Sequence, residues 1–337
     1  MMGERKIVAL GGGHGLYATL TAMRYLTRDV TAVVTVADDG GSSGRMRAEL
    51  DVIPPGDLRM ALAALMTAPA AVADLADDRD RARRVLWAEA LQHRFRGRGA
   101  LAGHPVGNLL LAGLSELVGD PVAALDELRE IFDVDGRVLP MSLVPLDIEA
   151  DVSGLESDPR ISRCIRGQVA VATTPGKVRR VRLLPERPPS CEQALTAITE
   201  ADLVVLGPGS WFSSVIPHVL VPEQLAALRR SRAAKVLVVN LAPEPGETPG
   251  FSVERHLHVL HAHADAFRVD HVVVDSASVP AGREREYLER AAALFGATLH
   301  VGDLAVPGKH VHDPEKLAQL IDSLYEGTWN LLSKTSP

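Results

Sequence analysis

The chain is short of cysteine and of aromatic residues, and it carries no long apolar run and no basic tract. Its 337 residues include two cysteines, Cys164 and Cys191, with neither metal-ligand spacing nor the pattern of a disulfide framework. A reducing, cytoplasmic setting is therefore expected. Aromatic residues make up 4% and the net charge is -7. Without basic stretches interleaved with aromatics, nucleic acid is not expected as a partner. The local patch Lys177-Val178-Arg179-Arg180-Val181-Arg182 reads as the solvated face of a strand. No apolar run approaches the roughly 20 residues of a membrane span, so direct membrane insertion is not expected. Charged Glu4-Arg5-Lys6 leads straight into a strand, which is not the pattern of a signal peptide. Three catalytic signatures are also missing. There is no G-x-S-x-G elbow, no Gly-Lys-Ser/Thr after a glycine loop, and no HExxH pairing among His256, His258, His261 and His263.

What is present is a large core arranged in alternation. Apolar residues reach 46% and charged residues 23%, a globular balance. Strand-length Val/Ile/Leu runs at 6–10, 30–37, 202–206, 235–240 and 271–275 alternate with helical patterns. The helices are expected at 15–27, 57–67, 81–94, 106–118, 121–132, 222–231, 252–263, 282–295 and 314–325. Nearly continuous apolar strands belong to parallel sheets covered on both faces. The fold class is thus α/β: a Rossmann-like, doubly wound, mostly parallel sheet with helices on both faces and a small mixed insertion. The expected divisions are an N-terminal nucleotide-binding part at 1–136, a strand-rich insertion at 137–189, and a part at 190–330 that completes the same sheet. Within the insertion, Arg137–Pro140, Ser142–Ala150, Gln168–Thr173 and Lys177–Leu184 read as short strands of an antiparallel excursion. Asp57 and Asp313 read as helix N-caps, Asp57 also as a candidate ligand-binding residue, and the tail Ser333–Pro337 as frayed.

In such sheets ligands bind beyond the carboxyl ends of the strands, so the loops that follow strands carry the functional reading. Gly11-Gly12-Gly13-His14-Gly15 follows the first strand and opens a helix, which aims backbone N–H groups at an anion. Leu16 breaks the G-x-G-x-x-G fingerprint, which makes a dinucleotide dehydrogenase a weak reading. His14 either adds a titratable donor or caps the turn. After the second strand come Asp38-Asp39-Gly40-Gly41-Ser42-Ser43-Gly44-Arg45. The adjacent carboxylates divide labour: one grips a ribose or sugar hydroxyl, the other a Mg²⁺ ion or the next turn. Arg59, in the first turn of the helix after Pro54-Pro55-Gly56-Asp57, is a cation where cations are disfavoured, as though an anion sat there. His104 and Asn108 open another apolar helix, with structural and functional roles evenly balanced. Gly207-Pro208-Gly209-Ser210, with Ser213 behind it, repeats the logic of the first loop as a second phosphate cradle. Asn240 and the loop Pro243–Thr248, with Glu247 and Thr248, are expected to wall the pocket.

Taken together and in order, these loops resemble the CofD-like family, most closely its YvcK branch, the gluconeogenesis factors. The resemblance is carried by Gly11–Gly15, by Val34-Thr35-Val36-Ala37-Asp38-Asp39-Gly40-Gly41-Ser42-Ser43-Gly44-Arg45, and by Pro54–Arg59. It continues through Gly103-His104-Pro105-Val106-Gly107-Asn108, Gly207–Ser210 and Pro245-Gly246-Glu247-Thr248, and it weakens toward the C-terminus. His14 stands where the family often has threonine, and the wording around it is similar to the actinobacterial version.

The resemblance implies two functions that composition does not reveal. CofD enzymes transfer a phospholactyl group from a guanosine-diphosphate-linked donor to a deazaflavin with Mg²⁺, in coenzyme F420 synthesis. YvcK-type proteins are associated with binding UDP-sugars such as UDP-N-acetylglucosamine, with growth on gluconeogenic carbon, with peptidoglycan synthesis and with cell shape. The expectation is a UDP-sugar-binding regulator whose glycine loops hold the diphosphate. Asp38 or Asp39 would meet ribose or sugar hydroxyls, and Arg45 or Arg59 would offset charge. A homo-oligomer, cell-wall-synthesis partners and recruitment to growth zones belong to the same expectation. No resident cofactor is expected beyond an optional Mg²⁺ at Asp38 and Asp39. The alternative is a CofD-type transferase in which those two carboxylates are catalytic.

Overall fold

The computed structural model describes residues 5–67, 78–158, 160–244, 247–279 and 282–332. Pro245, Gly246 and the tail 333–337, all singled out above, lie outside the described residues. The chain opens with β1 (Ile7–Gly11), α1 (Gly13–Met23), β2 (Val30–Val34), α2 (Gly41–Leu50) and α3 (Pro55–Met66). It continues with α4 (Asp78–Gln92), α5 (Val106–Val118), α6 (Pro121–Ile131) and β3 (Arg137–Pro140). The middle holds β4 (Asp147–Ser153), β5 (Ser162–Arg166), α7 (Gln168–Ala172) and β6 (Lys177–Leu184). Next are α8 (Glu192–Glu200), β7 (Leu203–Leu206), α9 (Pro217–Leu220), α10 (Pro222–Arg230) and β8 (Ala234–Val238). The last elements are α11 (Val253–His263), β9 (His271–Asp275), α12 (Arg283–Ala293), β10 (Thr298–Gly302) and α13 (Pro314–Leu332).

Seven strands form one sheet in the order β10-β9-β8-β7-β1-β2-β3, and every pairing in it is parallel. β1 is buried at all five positions and β7 at all four, as strands covered on both faces must be. The chain leaves β1 toward β2 and leaves β7 toward β8, in opposite directions along the sheet. With right-handed crossovers the two sets of helices fall on opposite faces. The α/β expectation therefore holds. β1 and β7 are neighbours with register Ile7 to Leu203 and Leu10 to Leu206, so the loops that follow them diverge from one switch point.

The middle segment departs from the sequence reading in three ways. Arg137–Pro140 is not part of an antiparallel excursion: β3 extends the main sheet, parallel to β2. Gln168–Thr173 is helical as α7, because its two leading N–H groups find a carboxylate rather than a strand partner. The antiparallel sheet proper is β5-β4-β6, with β5 supplied by 162–166, a stretch too polar to read as a strand. Four further elements, α2, α8, α9 and β10, were not placed from sequence. Asp313 caps α13, accepting from the N–H groups of Glu315 and Lys316 at 3.0 and 3.2 Å. Asp57 is no cap, because α3 begins two residues earlier with Pro54 at the cap position. The proline occupies the first turn without wasting a donor, and the Asp57 side chain is free to face inward. Among the described residues, no helix is long and apolar enough to cross a membrane.

Candidate functional site

The two glycine loops meet over the β1–β7 switch point and lock each other. Gly12 is extended, and Gly13, the first residue of α1, turns left-handed at φ 55°. Gly15 lies so close to the second loop that a Cβ there would fall 2.2 Å from the Pro208 carbonyl oxygen and 2.6 Å from Gly209 Cα. Only glycine permits that approach. Thr19 Oγ1 donates to the Gly207 carbonyl at 2.9 Å, and Thr35 Oγ1 to the Ser213 carbonyl at 3.3 Å. Asn240 spends its whole amide on Gly209, accepting from its N–H and donating to its carbonyl, both at 2.9 Å.

His218, fully buried in α9, bonds the Gly11 carbonyl through Nε2 at 3.2 Å, while Nδ1 faces the Gln224 amide nitrogen at 2.8 Å. A carbonyl only accepts and an amide NH₂ only donates. His218 is therefore the neutral Nε2–H tautomer, and burial pushes its pKa down to about 4. It holds the first loop without contributing charge.

Between the loops lies a cavity of about 240 Å³, lined by Gly12, Gly13, His14, Gly15, Gly209, Ser210 and Ser213 from the loops, with Ser214 beside them. Thr35, Asp38, Asp57, Gln168 and Glu244 complete the wall. Asp38 uses Oδ1 to accept from the Gly40 N–H at 2.9 Å, an Asx turn at the entry to α2. Asp57 faces Gly12 so closely that a Cβ there would sit 2.5 Å from Asp57 Oδ2. Burial, and then the neighbouring Asp38 charge, push the Asp57 carboxyl up to about 7. Glu244 is pushed up to about 8, by burial and by the adjacent Glu247 carboxyl. Glu247 accepts from the Phe212 N–H at 2.9 Å and from the Ser210 hydroxyl, and the Ser210 and Ser213 hydroxyls pair with each other. Thr248 Oγ1 accepts from the Glu244 N–H at 2.9 Å and so sets that loop.

The remaining sequence candidates stand behind the cavity. Asp39 does not point into it: its two carboxylate oxygens accept from the N–H groups of Gln168 and Val169, each at 2.9 Å, and cap α7. The labour of the acid pair is thus divided, with Asp38 at the cavity and Asp39 at a helix end. Ser43 Oγ accepts from the Gly56 N–H at 3.1 Å, and Gly44 packs on the Asp39 backbone. Arg59, Asn108, Ser42 and His104 form one buried relay. Arg59 Nη1 donates to Asn108 Oδ1 at 3.2 Å, and Asn108 Nδ2 to Ser42 Oγ at 3.0 Å. The Ser42 hydroxyl is left to donate to His104 Nδ1 at 2.8 Å. Burial lowers the His104 pKa, in keeping with an accepting, neutral ring. Arg45 reaches out to the Ala102 carbonyl at 2.9 Å. Neither Arg45 nor Arg59 lines the cavity. Thr35, Gln168 and Ser214 were not picked out as ligand contacts from sequence, whereas Glu244 belongs to the loop expected to wall the pocket. Thr35 hid inside an apolar strand, and Gln168 sat in a segment read as a strand.

A second cavity, of about 460 Å³, adjoins the first and shares His14, Gly15, Gly209 and Glu244 with it. A third, of about 430 Å³, lies at the opposite end of β1 and β2, lined by Lys6, Asp29, Arg137 and Glu200 among others. That end carries no glycine loop, and in open sheets ligands favour the other end. Among the described residues, no group of three or more His, Cys, Asp or Glu side chains could by itself hold a metal ion.

The fold and the paired loops define a doubly wound α/β protein with two glycine loops converging on one cavity at its switch point. The family model for the 2-phospho-L-lactate transferase CofD matches residues 7–304. A curated relative from Mycobacterium tuberculosis is 66% identical over 318 residues, covering 94% of this chain and 90% of that one. The gluconeogenesis factor of Bacillus subtilis is 35% identical over 287 residues, covering 85% and 84% respectively. A crystal structure of a UPF0052-family protein from Bacillus halodurans superposes with a TM-score of 0.80 at 31% identity, covering 95% of this chain and 99% of that one. The chain belongs to the CofD-like family, in its YvcK branch.

Proposed function

We propose that the chain is a gluconeogenesis factor that works as a cytoplasmic sensor of UDP-sugars of the UDP-N-acetylglucosamine kind, coupling carbon supply to peptidoglycan synthesis and cell shape. The observation that carries the reading is the pair of interlocked glycine loops, which line one cavity over the switch point. Two such cradles suit the two phosphates of a diphosphate, and nearby hydroxyls and carboxylates suit a sugar or ribose. The signal would leave through a homo-oligomer or through wall-synthesis partners at growth zones, by a shift in loop populations on binding.

The cavity walls bear on the optional Mg²⁺. They carry Asp38, Asp57 and Glu244 and no arginine or lysine. A diphosphate held there needs a counter-charge. Asp38 and Asp57, rather than Asp38 and Asp39, are the carboxylates that fit a divalent cation, because the Asp39 oxygens are engaged by α7. The ion would supply charge neutralisation beside the phosphates.

A second reading, a phospholactyl transferase, is favoured by the match to the transferase family model. Positioning and charge stabilisation would then do the catalysis. Calorimetric titration with UDP-N-acetylglucosamine, with and without Mg²⁺, separates the two. Micromolar binding that is weakened by Asp57→Asn supports the sensor. No heat, where a guanosine-diphosphate compound binds and a deazaflavin acceptor is turned over, supports the transferase.

A further inference from the structure

The stretch 90–115 contains no aspartate or glutamate, in a chain that has 43 of them. It carries Arg94, Arg96 and Arg98 in the loop between α4 and α5, and then the apolar helix α5 itself. We propose that this loop and the outward face of α5 form a docking surface for an anionic lipid bilayer, with α5 lying in the headgroup region and not crossing it. None of these residues lines the cavity between the glycine loops, so the surface needs no ligand there.

Charge is the first support. The loop is folded back on itself by its own backbone: the Phe95 N–H donates to the His104 carbonyl at 3.1 Å, and the Gly103 N–H to the Phe95 carbonyl at 2.9 Å. Arg94 Nη1 donates to the Gly103 carbonyl at 2.8 Å, and Arg45 of α2 joins the loop through the Ala102 carbonyl at 2.9 Å. Arg45, Arg94, Arg96 and Arg98 are all exposed, and among the described residues none of the four has a carboxylate partner. Most of their donors are therefore left to water. On a chain of net charge -7 this is a local positive rim.

The outward face of α5 is the second. α5 packs on α3, and α3 in turn lies against β2 and β3, so α5 belongs to an outer layer. Inward it buries Gly107, Asn108, Leu111 and Ala112. At about 100° per residue the opposite side carries Val106, Leu109, Leu110, Gly113 and Leu117. Leu117 is 81% exposed and Leu110 36%, and the loop adds Leu101 at 55%. Glu116, at the edge of this face, is the one charge in the helix. A surface helix turns polar residues outward, and one that is apolar all round is covered by something.

The combination selects the occupant. A second copy of the chain, packed about a two-fold axis, presents the same patch, so it brings the same arginines and no acid from this stretch. An anionic bilayer supplies both halves: negative headgroups for the arginines and an acyl boundary for the leucines. The 13 residues of α5 are too few for the roughly 20 of a span. They suit a helix lying in the interface plane with its apolar face sunk about 5–10 Å. The acids all lie elsewhere in the chain, so the field of a negative surface turns this side toward it.

The test is co-sedimentation of the full chain with vesicles of phosphatidylcholine alone and of phosphatidylcholine mixed equally with phosphatidylglycerol. The wild type is expected to bind the mixed vesicles at least about tenfold more tightly than the neutral ones. That binding should be lost as ionic strength rises from about 0.1 M to about 1 M. Two double variants at exposed positions divide the surface: Arg96→Gln with Arg98→Gln, and Leu101→Gln with Leu117→Gln. Thermal unfolding checks that both remain folded. The arginine pair should lose about fivefold for each charge removed, and the leucine pair about tenfold. No binding to the mixed vesicles, or equal binding to both kinds, overturns the proposal without any variant. Loss in the arginine pair with none in the leucine pair assigns the loop to a soluble acidic partner and overturns the bilayer. A concentration-dependent dimer that ignores vesicles, and that the leucine pair dissolves, assigns the face to a second copy and overturns it too.

Discussion

Asp57 is a cavity residue on which the environment acts strongly. Its carboxyl stands at about 7 in the fold against 3.8 for an ordinary aspartate, because burial and Asp38 both disfavour its charge. The folded chain therefore binds more protons than the unfolded chain between those two values. Stability falls as pH rises from about 4 to about 7 and is flat above. Asp57→Asn removes that loss. In chelator, the variant should gain on the wild type as pH rises through this window, by on the order of 2 kcal/mol. Denaturant unfolding at pH 4.5 and pH 8 checks it, and a gain of equal size at both would sink the account. Gly15 makes the opposite case, a residue whose missing side chain matters. Gly15→Ala forces a Cβ against the backbone of Pro208 and Gly209, where nothing flexible can give way. A loss of about 1–3 kcal/mol is expected, together with an opened cradle, read as a lower melting temperature and weaker nucleotide binding.

At the level of elements, the clearest dependence is that of α7 on a residue far away in sequence. Asp39 caps this short helix from 129 and 130 positions away, and Gln168 at the head of α7 then lines the cavity. Asp39→Ala should cost about 1 kcal/mol, the usual value of a lost cap. It should weaken ligand binding through a misplaced wall rather than a lost contact. Asp39→Asn, which keeps one acceptor, should recover part of both. Asp38→Ala should weaken Mg²⁺-dependent binding without destabilising α7. Proteolysis of the 160–176 segment with and without each substitution distinguishes these outcomes. The same element shows why the sequence misread it: Gln168–Thr173 is short and apolar, equally a strand or a helix by pattern. A distant carboxylate decided the matter.

For the whole molecule, the N-terminal and C-terminal stretches are interleaved. β1 pairs with both β2 and β7, and α13, last in the chain, returns to pack on α1, the helix opened by the first glycine loop. Leu317, Ala318 and Ile321 of α13 are buried. Truncation before Pro314 should therefore destabilise the molecule by several kcal/mol, at roughly 2 kcal/mol for each large apolar side chain exposed. It should also loosen the cradle at the far end of α1. Hydrogen exchange at α1 amides in the truncated chain is the measurement, and unchanged protection would refute the coupling.

The sequence by itself determined the fold class, the strands β1, β2, β7, β8 and β9, and the loops that form the cradle. Each is written locally: in continuous apolar runs, in glycines at strand ends, and in acids that follow a buried strand. Only the tertiary structure decided which side chains face the cavity. Arg59, His104 and Asn108 read as ligand groups and became a buried relay with Ser42. Asp57 read both as a cap and as a ligand contact; it lines the cavity and does not cap α3. Gln168 and Thr35 carried no local mark and joined it. The reason is that a side chain's role depends on its neighbours across the switch point, and those come from residues 150 or more positions away in some cases, as with Thr19 and Gly207 or Thr35 and Ser213. Local patterns fix elements. Contacts between distant elements fix which polar groups are spent inside the protein and which are left for a ligand.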